Sequence, residues 1–265
     1  MPERERRQRR SLLETCDVND TFVTLDLETT GLDPERDSIW EIGLVKFRLP
    51  PFPGSGPRQA KVIERWVTLV NPERPLPLKN QQLSGIAEEE LHGAPLLSQV
   101  LPRLRELLGE YPIVGHSIGV DIAFLYAHGL ILDNPLIDTF DLAGILLPRQ
   151  GRYDLASLAQ SLGIEVPLSH RALEDAETSR ALFLALFEVG CGLPLHVLME
   201  INRLAAHSRW PLVSLFQEFE RRATAQGPRG PRRPPAHEEL EAGPLLVSGE
   251  RPLRPRDPPL PLDLE

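Results

Sequence analysis

The stretch Phe22–Pro34, reading FVTLDLETTGLDP, constrains this chain more than any other. In an extended segment side chains alternate faces, so Phe22, Thr24, Asp26 and Glu28 share one face while Val23, Leu25 and Leu27 take the other. Asp26 and Glu28 therefore project together, roughly 6.6 Å apart at about 3.3 Å per residue. Two carboxylates so placed can flank hard divalent cations. The Thr29-Thr30-Gly31 turn ends the strand where backbone N–H groups can meet a substrate. Taken alone, the pair fits better an edge strand whose polar face happens to be acidic.

Composition narrows the class. At 265 residues the chain can hold one domain with extra elements or two small ones. A formal net charge of −9 argues against a general nucleic-acid coating protein, although a local basic groove can sit on an acidic body. The two cysteines, Cys16 and Cys191, lie far apart without a CxxC partner, so neither a disulfide framework nor a zinc site is expected and a reducing compartment fits best. The amino terminus is a charged run, PERERRQRR, and no stretch approaches eighteen consecutive apolar residues. The expectation is a soluble, cytoplasmic protein without a membrane partner.

Along the chain, residues 1–19 read as a flexible arginine-rich arm, solvated or touching phosphates. SIWEIGLVKFR (38–48) is apolar on both faces, as in a strand buried between layers, and VIERWVTLV (62–70) follows after a Pro/Gly loop; with the first strand they form an antiparallel meander. Residues 71–83 read as irregular and proline-containing, with helical sequence after Leu83-Ser84-Gly85-Ile86. Leu97, Leu101, Leu104 and Leu108 predict a helix over 95–109. YPIVGH (111–116) is a short fourth strand before a helix that carries Asp121, and residues 137–138 are a candidate fifth. Helices are predicted over 140–147, 155–162 and 172–188, giving an α/β fold with a mixed sheet and helices on both faces. Two more helices over 194–225, split at Trp210-Pro211, form a helical extension from residue 191. Residues 226–265, dominated by proline and glycine, are expected to be a disordered tail, leaving 20–190 as the main domain.

Two further acidic positions join the first pair. Asp121 lies in GHSIGVDIAFL, at a strand-to-helix turn with room left by small residues, although aspartate is also common at helix starts for dipole reasons. In HRALEDA, residues five apart on one helix would diverge by about 140°. His170 and Asp175 can converge only if the histidine lies in the loop before the helix and the aspartate on its first turns. That arrangement suits a mobile base beside a fixed ligand; in isolation His170 reads rather as a surface loop histidine.

DLETTGLDP, GHSIGVDIAFL and HRALEDA, in this order, resemble the three exonuclease motifs of the DnaQ-like DEDDh 3′–5′ exonuclease family, which includes the proofreading subunit or domain of bacterial replicative DNA polymerases. The resemblance runs from about Phe22 to Glu188 and takes in WEIGLVKF, VNPERPLP and LSGI. It implies a ribonuclease-H-like five-stranded sheet and two-metal-ion hydrolysis of a phosphodiester at the 3′ end of DNA, in replication proofreading or repair. Residue by residue it implies Asp26, Glu28, Asp121 and Asp175 as ligands of two Mg²⁺ or Mn²⁺ ions and His170 as general base. Thr29, Thr30, Leu83 and Ile86 would line the terminal-nucleotide pocket. The chain departs from the family's habit of Asn at Ser117 and an aromatic at Val120. HVLMEINRLAAHSRWPLVSLFQE resembles the connector after the exonuclease part of DinG-type exonuclease–helicase fusions, yet no GK[ST] sequence is present. Single-stranded or frayed DNA ends are the expected substrate, and a DNA polymerase or helicase the expected partner. An RNA-trimming exonuclease, or a non-catalytic module binding a polymerase or helicase, are the alternatives.

Overall fold

The computed structural model describes residues 20–50, 56–167 and 171–226. His170, the arginine-rich arm and the proline-rich tail from residue 227 lie outside the described residues. Five strands form one sheet: β1 (Thr21–Thr29), β2 (Ile39–Arg48), β3 (Lys61–Leu69), β4 (Ile113–Gly115) and β5 (Leu136–Asp138), in the order β3-β2-β1-β4-β5. β1, β2 and β3 are antiparallel neighbours, whereas β4 runs parallel to both β1 and β5. This is the mixed five-stranded, ribonuclease-H-like sheet that the motif order implies, and it puts the acidic strand β1 at its centre.

The alternation along β1 separates two cores. Val23 and Leu25 are buried with Val100, Leu104 and Leu108 of helix α3 (Leu97–Leu108), and with Phe124 and Leu125 of helix α4 (Gly119–Ala127). Phe22 points to the other face. There it stacks on its cross-strand partner Phe47 at 5.7 Å between ring centroids, and both rings meet Phe183 of helix α7 (Ala172–Cys191). The acidic end of β1 lies along this second face, under the start of α7. Helices α5 (Thr139–Leu146) and α6 (Leu155–Ser161) supply Leu142 and Leu158 to the same core. Helices α8 (Leu195–Ala205) and α9 (Val213–Gln226) extend it through Leu198, Phe216 and Phe219. Among the described residues no single helix is long and apolar enough to cross a membrane.

Gly43 explains how closely α7 approaches. It is the register partner of Asp26, and a Cβ there would overlap the backbone of Ala172 and Leu173. A Gly43→Ala protein is therefore expected to lose about 3 kcal/mol or more, because backbone cannot yield as a flexible side chain can. Thermal melting equal to wild type would show that α7 does not bear on β2 at this point.

The structure corrects one expectation. Residues 71–83, read as irregular, include all but the last residue of helix α1 (Leu78–Ser84), which the short helix α2 (Glu88–His92) follows. Pro77, which looks like a breaker, stands immediately before the first helical residue with φ −55, a value its ring imposes and a helix accepts. Gly85, at φ 71, ends the helix in the left-handed conformation that glycine adopts without steric cost.

Candidate active site

Asp26 and Glu28 come from the second half of β1, and Asp175 from the first turn of α7. Carboxylate oxygens of these three residues lie within 4.8 Å of one another, as ligands of a common metal ion would. Asp121, in the first turn of α4, adjoins them through the backbone: its Oδ1 accepts the Leu27 N–H at 2.9 Å. The reason is the length of β4. Pairing with β1 stops at Thr24 and Val114, so Leu27, whose N–H points the same way as that of Val23, meets the Asp121 carboxylate where a longer strand would offer a carbonyl.

The turn that delivers Asp121 is built from backbone strain and one acceptor. Ser117 has φ 59, in the left-handed region, and its N–H donates to Asp138 Oδ1 at 2.9 Å. The same oxygen accepts the Phe140 N–H and so caps α5. Asparagine tolerates the left-handed region better than most residues, which is a physical reason for the family's habit at the position this chain fills with Ser117.

Concentrated negative charge in a poorly hydrated place shifts these groups upward. Burial, then the charges of Asp121, Asp175 and Glu28, hold the Asp26 carboxyl well above the usual carboxylate range. Burial and the charges of Asp175 and Glu41 push Glu28 up to about 7, against a smaller downward pull from Arg171. Burial likewise pushes Asp121 up to about 7, although the Leu27 N–H favours its ionised form. Divalent cations are what such a set fits: hard oxygen donors, close together, whose ionised forms burial and mutual repulsion disfavour.

Beside Glu28 opens a cleft of about 170 Å³ lined by Glu28, Trp40, Lys79, Asn80, Leu83 and Ser84. Asn80 ties α1 to the end of β1 by donating to the Thr29 carbonyl at 2.8 Å. Of the four residues expected to line a nucleotide pocket, Leu83 borders this cleft and Thr29 carries the carbonyl that Asn80 holds. The Thr30 hydroxyl donates to Asp37 and accepts the Ser38 N–H, both at 3.0 Å, and so organises the turn. Ile86 packs inward with Trp40, Leu76 and Leu91.

The sequence reading passed over Glu41 and Arg171. Glu41 is 0% exposed, faces Glu28 across the β1–β2 pair, and is bound by the Arg171 guanidinium and the Ala172 N–H. A carboxylate inside the apolar run IWEIGLV was the available signal, since a buried carboxylate requires a partner.

Comparison with known proteins agrees with this geometry. Residues 23–183 match the exonuclease family RNase_T. The chain is 31% identical over 176 residues to the DNA polymerase III subunit epsilon of Aquifex aeolicus, covering 64% of this chain and 82% of that protein. It is 35% identical over 191 residues to a PolC-type DNA polymerase III of Thermotoga petrophila, covering 70% of this chain but only 13% of that relative's length. Among solved structures, a full-length 3′-exonuclease superposes with TM-score 0.54 at 19% identity, covering 66% of this chain and 62% of that one. E. coli Exonuclease I, solved with a dT13 oligonucleotide, superposes with TM-score 0.52 at 18% identity, covering 70% of this chain and 44% of that one; both likenesses concern the fold. With the family match spanning residues 23–183 and the acidic motifs meeting at the end of β1, the chain belongs to the DEDDh, DnaQ-like 3′–5′ exonuclease family related to the polymerase III epsilon type.

Proposed function

We propose that this chain removes nucleotides from the 3′ end of single-stranded or frayed DNA, in proofreading or repair beside a DNA polymerase. The observation that carries the reading is the convergence of Asp26, Glu28 and Asp175, with Asp121 adjoining, at the edge of a cleft large enough to admit part of a nucleotide. The four carboxylates would hold two Mg²⁺ or Mn²⁺ ions. Bound there, such a pair supplies a water activated at neutral pH and charge neutralisation at the departing 3′ oxygen. The protein's own residues do the rest. Leu83 and Asn80, with the Thr29–Thr30 turn, would seat the terminal nucleotide so that its phosphate reaches the carboxylate cluster. His170, one residue before Arg171, would accept the proton of the attacking water, a task suited to an imidazole with an ordinary pKa near 6.5. The partner reading draws support from relatives that are themselves a polymerase subunit and polymerases with a matching segment.

The test is a 5′-labelled single-stranded DNA oligonucleotide incubated with Mg²⁺ or Mn²⁺, beside an EDTA control and a matched RNA. A metal-dependent ladder shortening from the 3′ end on DNA is the expected result. Faster shortening of the RNA would make the chain a ribonuclease. No ladder on either polymer would leave a binding module.

A further inference from the structure

We propose that Glu41 and Arg171 act as positioning residues that fix Asp175 against Asp26 and Glu28 without touching metal or substrate. The inference rests on the exonuclease reading but concerns residues to which that reading gives no task. Glu41 Oε1 accepts from Arg171 Nη2 at 2.6 Å and from Arg171 Nε at 3.0 Å, a two-pronged contact that fixes the guanidinium in direction as well as distance. Its other oxygen, Oε2, accepts the Ala172 N–H at 3.0 Å, the first N–H of α7. Both carboxylate oxygens are thus engaged by the residues at which α7 begins, so Glu41 anchors the helix even though it faces Glu28 directly across the strand pair.

The anchor lies where small errors matter. Two residues along β2, Gly43 admits the Ala172–Leu173 backbone, so the carboxylate and the missing Cβ together define both the height and the direction of the helix start. Asp175 follows within the same turn, its N–H bonded to the Arg171 carbonyl at 3.0 Å. Arg171 is therefore held by Glu41 through its side chain and holds Asp175 through its backbone. A rigid link of this kind converts the place of a strand residue into the place of a ligand three to four residues up the neighbouring helix. Groups that orient ligands from behind commonly change affinity or activity by about ten- to a hundred-fold.

Three variants test this: Arg171→Met, Glu41→Gln, and the double Glu41→Met with Arg171→Met. Each is measured for kcat and KM on the DNA oligonucleotide, for Mn²⁺ affinity by EPR, and for thermal melting in EDTA, with kinetics taken where circular dichroism shows the variant folded. Arg171→Met is expected to lower kcat and Mn²⁺ affinity about ten- to a hundred-fold, with KM within about threefold of wild type, and to melt lower because Glu41 is left buried and unpaired. Glu41→Gln, which keeps the shape and an acceptor for Ala172, should show a smaller loss in the same direction. In the double variant the stranded charge is gone and melting should return toward wild type, while kcat and Mn²⁺ affinity stay low. A double variant that regains kcat and Mn²⁺ affinity along with its stability would reduce the pair to a structural ion pair, and wild-type behaviour in Arg171→Met would overturn the proposal outright. If the wild-type protein binds Mn²⁺ but cuts neither DNA nor RNA, the exonuclease reading fails, and the Mn²⁺ and melting comparisons still decide the clamp.

Discussion

Asp26→Asn and Asp175→Ala are each expected to lower cleavage by about three orders of magnitude or more, since a metal's contribution to the transition state is worth several kcal/mol. The folded structure should survive. Asp26 and Asp175 belong to the group of oxygens within 4.8 Å of one another, and the raised pKa values of Asp26 and Glu28 express burial first and mutual repulsion second, both of which the metal-free protein carries as a cost. Removing one carboxylate relieves part of it, so at pH 8 in EDTA both variants should melt at or above the wild-type temperature. Loss of activity with gain of metal-free stability separates a ligand from a core residue, whose removal would lower both. Single-turnover cleavage and a melt in EDTA are sufficient; near-normal cleavage by Asp175→Ala would sink the assignment.

Metal-free protein should become less stable as pH rises from about 4 to about 7. Glu28 and Asp121 are each pushed up to about 7 in the fold, against ordinary values of 4.5 and 3.8. Between those limits the folded protein keeps protons that the unfolded chain has already released, so the slope of stability against pH is negative, and the stabilisation present at low pH is lost once pH passes the folded pKa. The total is on the order of a few kcal/mol, or roughly 5–10 °C in melting temperature for a domain of this size. On the proposed reading Mg²⁺ or Mn²⁺ would bind the ionised carboxylates, so the added cation should raise the melting temperature more at pH 8 than at pH 5.5. Melting curves in EDTA and in excess metal at both pH values test this. A metal-induced shift equal at both, or EDTA stability that climbs toward pH 8, would mean that the carboxylates are not the metal's ligands.

Periodicity carried the fold a long way. The alternation of Phe22, Val23, Thr24 and Leu25 predicts two cores on opposite sides of one strand, and the structure has them. The leucine spacing from Leu97 likewise matches α3. What escaped was contextual. Pro77 is a breaker or a starter depending on whether the next residues can turn, and the Leu78–Ser84 segment is too short for its pattern to overrule the prolines around it. At the site, the grouping of Asp26, Glu28 and Asp175, with Asp121 adjoining, was legible because these residues sit in motifs of fixed local spacing. Glu41 was not, because its meaning lies in Arg171, 130 residues further on, and no local rule joins them. Ile86 shows the reverse case: a motif position near the cleft whose side chain turns into the small core with Trp40.

Anomalous diffraction from crystals soaked in Mn²⁺ and a nucleoside 5′-monophosphate would show whether the cluster at the end of β1 is a metal site for phosphodiester hydrolysis. Two Mn²⁺ peaks about 3.5–4 Å apart are expected, coordinated by Asp26, Glu28, Asp121 and Asp175, with the nucleotide's phosphate beside them and its base toward Leu83. Peaks elsewhere on the protein with none at these carboxylates, under conditions in which the enzyme cleaves DNA, would contradict it.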